Sequence, residues 1–404
     1  MLPAIQGSSV AQARGSKMKS RTSRAKRIRR VRERLKRRIM ARKMRIMARK
    51  QALSLRRKSK FPSKKWRPHR CSRATQAVGT LPPQGFARWC VREFNGDFLK
   101  HGPSRTWYPN GRKQLFGQWN QGLKSGVWYE WYDNGSPKSV FRYRNGQRQG
   151  THRGWHANGR LAKSATFVRD KREGLLTQWH ANGRLSRRLS YVAGQRHGKL
   201  ESWHASGRRH QNGAFEADQR VGKWSMLFKD GSQSFQGEYV NGKEHGAFMV
   251  WSEPKHKDWS GHFIQGKKDG VFIAWHPNGQ KESSASWSTG KLVGLSQTWS
   301  PQRQLTRSAE YQQGRLHGVE RLWHSNGKAR QSTRWVHGSK HGLSESWSAS
   351  GTPLTRSSWQ RGKLFGRYLV WANDGRFQAG SCYVQDKEMW ATPHLAEAKV
   401  RACP

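Results

Sequence analysis

The sequence predicts an all-β protein: an elongated repeat sheet of about twelve 24-residue antiparallel β-hairpins, preceded by a basic tail that is disordered or helical. Trp recurs every 24 residues, a second aromatic residue recurs 12 positions later, and glycines mark fixed positions between them. Only 34% of the 404 residues are hydrophobic, yet the chain contains 21 Trp. Many small units centred on aromatic residues therefore fit this composition better than one thick aliphatic core.

The first aromatic column consists of Trp residues that follow one another at steps of 24, with one step of 48 across Leu227. The heptapeptide WHANGRL at 155–161, which is repeated at 179–185, belongs to this pattern. We expect the column to form the rungs of a buried core. Its members are Trp107, Trp131, Trp155, Trp179, Trp203, Trp251, Trp275, Trp299, Trp323, Trp347 and Trp371.

The second aromatic column lies 12 residues after the first and has no missing member. If the two columns share a face, they form one continuous ladder with a spacing of about 5 Å. An apolar residue often stands four positions before Trp, as at Val271, so we expect the Trp side of the sheet to be buried and the side of Phe272 to be mixed and wet. The column comprises Trp119, Tyr143, Phe167, Tyr191, Phe215, Tyr239, Phe263, Trp287, Tyr311, Trp335, Trp359 and Tyr383.

Turn signals separate segments of five to eight residues, a length that suits strands and is too short for helices. Asn-Gly pairs such as Asn134-Gly135 predict hairpin turns because both residues tolerate a positive φ. A Gly-Lys-x-x-Gly stretch then leads into the next unit. The predicted organisation is a tail at 1–60, an irregular linker at 61–93, twelve repeats at 94–385 and a C-terminal cap or tail at 386–404.

The repeat resembles a known family. Stretches such as NGKEHGAFMVW, NGQRQGTHRGWHANGR and QGKKDGVFIAWHPNGQKESSASW are similar to the MORN repeat, and more closely to the bacterial variant found in YwqK-type antitoxin components. The resemblance covers residues 94–385 and leaves out the tail. It implies an elongated sheet of hairpins and a role in protein or membrane-surface interaction, and it supplies no catalytic residue.

Catalytic and metal-binding patterns are not evident. Histidines follow the first-column Trp, as at His156 and His180, but equivalent positions lie about 10 Å apart. Zinc ligands each lie about 2.0 to 2.1 Å from one ion, so these histidines are expected to form an unliganded surface row. The sequence contains no nucleophile elbow, metalloprotease motif or phosphate-binding loop. We therefore expect a non-enzymatic protein with no metal and no cofactor.

The four cysteines, Cys71, Cys90, Cys382 and Cys403, include no CxxC pair. We expect unpaired, reduced thiols.

No window has the roughly 18 apolar residues of a transmembrane helix, and the N-terminus lacks the apolar core of a signal peptide. A cytoplasmic location is expected, with organellar targeting by the tail as the alternative.

The N-terminal part of the chain carries about half of the net charge of +54. Residues 1–90 contain 29 of the 78 Lys and Arg but one acid, Glu33. Ile28, Val31, Leu35 and Ile39 follow helical spacing, which favours folding on nucleic acid or an anionic membrane. The candidate polyanion-binding residues are Arg27, Arg29, Arg30, Arg34, Lys36, Arg37, Arg38, Arg42, Lys43, Arg45, Arg49 and Lys50.

Other interpretations of the tail stay open. It could be a solvated leader without a partner or a transit peptide, and translation could start at Met18, Met40, Met44 or Met47. For the whole chain, the preferred hypothesis is a scaffold that docks a protein partner or a second copy of itself. The alternative is a polyanion binder that acts through the tail and the basic sheet surface. A third hypothesis is glycan binding by exposed Trp.

Overall fold

The protein is described by a computed structural model that covers residues 70–404. The predictions for the tail at 1–60, including all its candidate polyanion-binding residues, lie outside the described residues, as does the linker up to residue 69. The described residues divide into two compact units, residues 70–197 and residues 198–404. Each unit is built from antiparallel strands, so the predicted all-β class is confirmed.

The first unit contains β1 to β11, and β12 crosses the division between the units. Their bounds are β1 Gln76–Val78, β2 Ala87–Phe94, β3 Asp97–Trp107, β4 Lys113–Asn120, β5 Leu123–Trp131, β6 Pro137–Arg144, β7 Gln147–Arg148, β8 Gly150–Trp155, β9 Leu161–Val168, β10 Lys171–Trp179, β11 Leu185–Val192 and β12 Gln195–Trp203.

The second unit contains the remaining strands and a short helix. Their bounds are β13 Arg209–Glu216, β14 Gln219–Leu227, β15 Gln233–Val240, β16 Lys243–Glu244, β17 Gly246–Glu253, β18 His256–Ile264, β19 Lys267–Lys268, β20 Gly270–Trp275, β21 Lys281–Ser288, β22 Lys291–Trp299, β23 Leu305–Gln312, β24 Arg315–Leu316, β25 Gly318–Trp323, β26 Ala329–Val336, β27 Ser339–Trp347, β28 Pro353–Gln360, β29 Lys363–Trp371, β30 Phe377–Val384, β31 Lys387–Thr392 and α1 Leu395–Val400.

Strand pairing extends beyond the predicted repeat boundaries at both ends. β1 pairs with β2, which pairs with β3, although residues 76–78 and 87–93 were expected to lie in an irregular linker. β31 likewise pairs with β30 inside the predicted C-terminal cap. Between residues 70 and 93 the stretches at 70–75 and 79–86 contain no strand. The added strands cover backbone edges that would otherwise lack hydrogen-bond partners.

The repeats use two different turns. At Asn145-Gly146 both residues have positive φ, 48° and 77°, which is the pattern of the tight type I′ hairpin turn. At Asn134-Gly135 only the glycine has a positive φ, so the expected role of the asparagine is wrong here. Its side-chain oxygen instead accepts a hydrogen bond from the amide of Ser136 at 2.9 Å, which closes the loop as an Asx turn.

The core lies on one face of each unit, which we call the ladder face. It combines the second aromatic column with the residue three positions before the first-column Trp. Trp128 is 1% exposed and lies directly over Gly117, where a Cβ atom would overlap its ring. The same fit recurs in the second unit, where Trp224 covers Gly213 and a large ring thus occupies the space that a glycine leaves free.

The rings on the ladder face form continuous contacts. In the second unit seven successive rings have neighbouring centroids between 5.0 and 6.2 Å apart, mostly edge to face, a favourable arrangement for aromatic pairs. Each ring contacts the next one in the series, so cohesion passes from repeat to repeat. The seven are Phe215, Trp224, Tyr239, Phe248, Phe263, Phe272 and Trp287.

The first-column Trp residues lie on the opposite face, so the predicted ladder of the two columns is wrong. Successive strand residues point to opposite faces, and Trp131 stands three residues after Trp128. Ten of the eleven first-column residues are only half-buried, Trp131 being the buried one. Val271 and Leu295, expected to be buried beside them, are 53% and 47% exposed. The sequence therefore identifies the period correctly but assigns the core to the wrong face.

The cysteines form two disulfides, and the prediction of unpaired thiols is wrong. Cys71 is bonded to Cys90, and Cys382 to Cys403, with Cα atoms 5.7 and 5.8 Å apart. Each bond fastens a flanking segment to a strand next to the sheet edge, Cys71 to β2 and Cys403 to β30. Closing these loops restricts the unfolded chain and thereby stabilises the ends of the repeat array.

Candidate binding site

The histidines of the repeat motif form hydrogen bonds from one repeat to the next. Nε2 of His276 donates to the carbonyl oxygen of Trp299 at 2.8 Å, and Nε2 of His324 to that of Trp347 at 2.8 Å. Tyr132 makes the same contact from its hydroxyl group. The predicted row of unliganded surface histidines is thus a row of hydrogen bonds between repeats. Within residues 70–404 no group of three His, Cys, Asp or Glu could hold a metal ion.

The asparagines of the motif add a second row of bonds between repeats. Nδ2 of Asn158 donates to the carbonyl oxygen of Ala181 at 2.8 Å, and Nδ2 of Asn326 to that of Ala349 at 2.6 Å. In the same turns the Oδ1 atom accepts the amide of the residue two positions later. The polar groups of the WHANGRL motif therefore hold the fold together.

A column of cations lies over the ladder, and the sequence analysis missed it. Nζ of Lys124 lies 4.6 Å from the Trp128 ring centroid, and Nζ of Lys268 lies 4.8 Å from Phe272 and 4.5 Å from Trp287. Cations at this distance are attracted to the ring face. The signal was a basic residue that recurs two positions before a glycine of the repeat. The column comprises Lys100, Lys124, Arg148, Arg172, Arg220, Lys268 and Lys340.

The ladder face opens into a cavity of about 370 Å³ in the second unit. Its walls are aromatic, its floor consists of small residues, and Lys268 stands at its edge. Phe272, which borders it, is half-buried, whereas Phe248 in the preceding repeat is buried. The lining consists of Trp259, Phe263, Lys268, Phe272, Ile273, Ala274, Ser283, Ala285 and Trp287.

Small side chains create this cavity. Ala274 lies where the preceding repeat carries Val250, the next repeat Thr298 and the one after it Leu322, so the volume of a branched side chain is missing from the floor. Trp259 and Phe272 stack across one wall with centroids 6.2 Å apart and planes 21° from parallel. A mostly apolar concave site with few polar groups is the usual form of a ligand pocket.

Further along the ladder face a polar network replaces a ring. The Glu320 carboxylate accepts hydrogen bonds from Arg307 at 2.7 Å and from the indole of Trp335 at 3.1 Å. Arg307 also donates to the Tyr311 hydroxyl at 2.9 Å. Burial lowers the pKa of Arg307, but the bonds to Tyr311 and Glu320 outweigh it and raise the pKa. These groups satisfy one another, whereas the lining of the cavity is mostly aromatic and small, with Lys268 and Ser283 among its polar side chains.

The fold and this surface define a β-hairpin repeat protein with an aromatic, cation-bordered cavity. The family profile described as MORN repeat variant matches residues 124–145, which supports the MORN resemblance. The closer likeness to YwqK-type antitoxin components stays a prediction. No curated protein matches the chain. Among residues 70–404 no helix is long and apolar enough to cross a membrane.

Three solved structures are similar to the chain at low identity. They are the crystal structures of TcdB2-TccC3-Cdc42, of TcdB2-TccC3 without its hypervariable C-terminal region, and of TcdB2-TccC3, at 10%, 10% and 11% identity. Their TM-scores are 0.14, 0.15 and 0.14. The matches cover 76%, 80% and 78% of this chain, which spans only 23%, 19% and 24% of theirs.

Proposed function

We propose that the protein is a non-enzymatic repeat scaffold that binds a protein partner through the ladder face of its second unit. The observation that supports this is the aromatic cavity on the ladder face between Trp259 and Trp287. A repeat sheet offers a long surface on which such a site is held rigidly. The likeness to YwqK-type antitoxin components concerns the repeat motif and adds no residue to the site.

The chemistry of the cavity indicates what the partner presents. An aromatic or branched aliphatic side chain fits between the rings, and burying about 100 Å² of apolar surface contributes roughly 2.5 kcal/mol. Lys268 is exposed at the edge, where an acidic residue beside the inserted side chain would meet the ammonium group. The preferred ligand is thus a peptide segment in which an apolar residue neighbours Asp or Glu.

Selection from a peptide library on the full chain tests the proposal. Ala274→Leu fills the floor with a side chain that Leu322 already provides in the equivalent position, so the fold should tolerate it. Selected peptides should carry an apolar residue next to an acidic one and bind the variant at least tenfold more weakly. The matched control is Ala247→Leu on the opposite face, where the equivalent position carries Leu295. Equal losses in both variants, or none, would refute the site.

Binding of a polyanion is the second candidate, supported by the cation column of the first unit. Lys100, Lys124, Arg148 and Arg172 occupy successive repeats, and Arg148 is paired with Asp170 at 2.8 Å. Hydrogen bonds from Arg148 hold the pKa of Asp170 below its usual value. The other cations of this row border the aromatic rings and leave their charge available to nucleic acid or anionic lipid.

The salt dependence of binding tests this second candidate. For a single-stranded nucleic acid, log K should fall with log salt at a slope of about 0.7 per neutralised phosphate. Replacing Lys100 and Lys124 by Gln should lower that slope by about 1.4 if both contact phosphates. An unchanged slope would show that Lys100 and Lys124 of the first unit do not contact phosphates, and any binding would then be assigned to the tail.

A further inference from the structure

We propose that a second cavity, at the C-terminal end of the chain, binds the phosphate or carboxylate group of a small anionic ligand. This cavity has a volume of about 420 Å³ and lies on the face opposite the ladder. Three of its lining residues are basic: Arg356, Arg367 and Lys399. The inference is independent of the partner surface proposed above, since no residue lines both cavities.

Two parts of the chain enclose this cavity, one forming its floor and the other its roof. Strands β27 to β29 supply the floor, which includes Leu343 and Leu369, and the segment at 399–404 supplies the roof. Ala398 of α1 is fully buried against the sheet beside Gly380. The Cys382–Cys403 disulfide then holds the segment that follows the helix.

Further contacts fix the roof in place. The indole of Trp390 donates to the carbonyl oxygen of Ala402 at 2.9 Å, and Arg401 lies over the Trp390 ring at 5.1 Å. Arg401 also pairs with Glu397 at 3.2 Å. A ligand site needs its groups held by the surrounding structure before the ligand arrives, and these contacts provide that restraint.

The charge at this cavity is only partly compensated. Arg356 pairs with Glu345, but the distance of 3.6 Å and the largely exposed Arg356 side chain make this a weak bond. Arg367 donates from Nη2 to the carbonyl oxygen of Arg401 at 3.2 Å. Its Nε atom is shielded from solvent and has no hydrogen-bond partner among the described atoms.

A buried donor without a partner is costly and rare in folded proteins. An oxyanion supplies acceptors that match the planar donor group of arginine, and a phosphate or carboxylate can accept two such bonds at once. Lys399 is exposed at the rim and adds a second positive charge. The combination of two guanidinium groups and one ammonium group in one recess therefore favours a compact anion over a cation or an apolar group.

Calorimetric titration of the full chain tests the inference, with inorganic phosphate, pyrophosphate and citrate as probes at constant ionic strength. At least one probe should bind at a single saturable site, and phosphate and citrate distinguish the two ligand chemistries. Arg367→Gln should weaken that binding at least tenfold. Arg376→Gln is the matched control, because Arg376 is exposed and paired with Asp374 outside the cavity.

The disulfide offers an independent readout. Replacing Cys382 and Cys403 by Ser should weaken the same binding because the roof is released, whereas replacing Cys71 and Cys90 by Ser should leave it unchanged. The Arg367→Gln result stands even if the first pair of substitutions unfolds the end of the sheet. Absence of saturable binding for all three probes, or equal affinity in Arg367→Gln and Arg376→Gln, would overturn the proposal.

Discussion

We predict that His152 makes the stability of the first unit depend on pH. It occupies the ladder position that Trp128 fills one repeat earlier, and its ring stacks on Phe141 with centroids 3.8 Å apart. The side chain is 7% exposed, and burial, reinforced by the charge of Lys163, lowers its pKa from 6.5 to about 3. Its Nε2 atom is buried without a hydrogen-bond partner among the described residues.

The direction of the pH effect follows from proton linkage. The imidazole of His152 has a lower pKa in the folded chain than in the unfolded chain. The unfolded chain therefore binds a proton first, and acid favours unfolding. The stability that depends on neutral His152 is fully present above pH ~6.5 and is lost as the pH falls towards 3. Between pH 7.5 and pH 5 the loss should be about 2 kcal/mol, since one pKa unit corresponds to about 1.4 kcal/mol.

The variant His152→Leu isolates this contribution, because Leu200 already fills the equivalent position of a later repeat. Urea unfolding of both proteins at pH 7.5 and pH 5 measures how much free energy of unfolding each loses on acidification. Amide hydrogen exchange in β8 and β9 then locates the loss. The wild type should lose about 2 kcal/mol more than the variant on acidification. Equal losses would show that His152 titrates normally and is not part of a dry core.

Three further predictions concern the architecture. Gly213→Ala should cost about 1 to 3 kcal/mol in urea unfolding because the new methyl group meets the Trp224 ring, and adding Trp224→Leu should recover part of this; no cost would argue against the close ring-to-glycine fit. Asn326→Ala should cost about 1 to 2 kcal/mol through its two lost hydrogen bonds, whereas the exposed control Asn212→Ala should cost little, and similar values would contradict the role of asparagine between repeats. Thiol titration under denaturing conditions should detect no free thiol before reduction and four after it; reactive thiols before reduction would contradict the pairing.

The period of the fold was predictable because each repeat needs the same turn glycines and the same aromatic spacing. The choice of face was not, since Trp is the most conspicuous residue of the motif yet lies on the half-buried side. The core becomes evident only when residues 11 positions apart are compared for size, as with Gly117 and Trp128. That comparison depends on the β-bulge in each hairpin, which the hydrophobic pattern does not reveal.

The two cavities could not be predicted from the sequence either. The floor of the ladder cavity includes Ala274, a small residue at a position that looks unremarkable in the pattern. The disulfides join cysteines 19 and 21 residues apart, a separation that carries no signature of pairing. Only the folded path of the terminal segments brings these sulfur atoms together.

The central claim, that the ladder cavity is the partner site, is tested most directly by the indole NMR signals of the Trp side chains. Signals assigned through Trp→Phe variants are followed while a selected peptide is titrated into the full chain. Trp259 and Trp287 should shift in a saturable manner, while Trp335 and Trp359, on the same face outside the cavity, should not. Shifts confined to Trp335 and Trp359, or to the first-column Trp residues, would contradict the account.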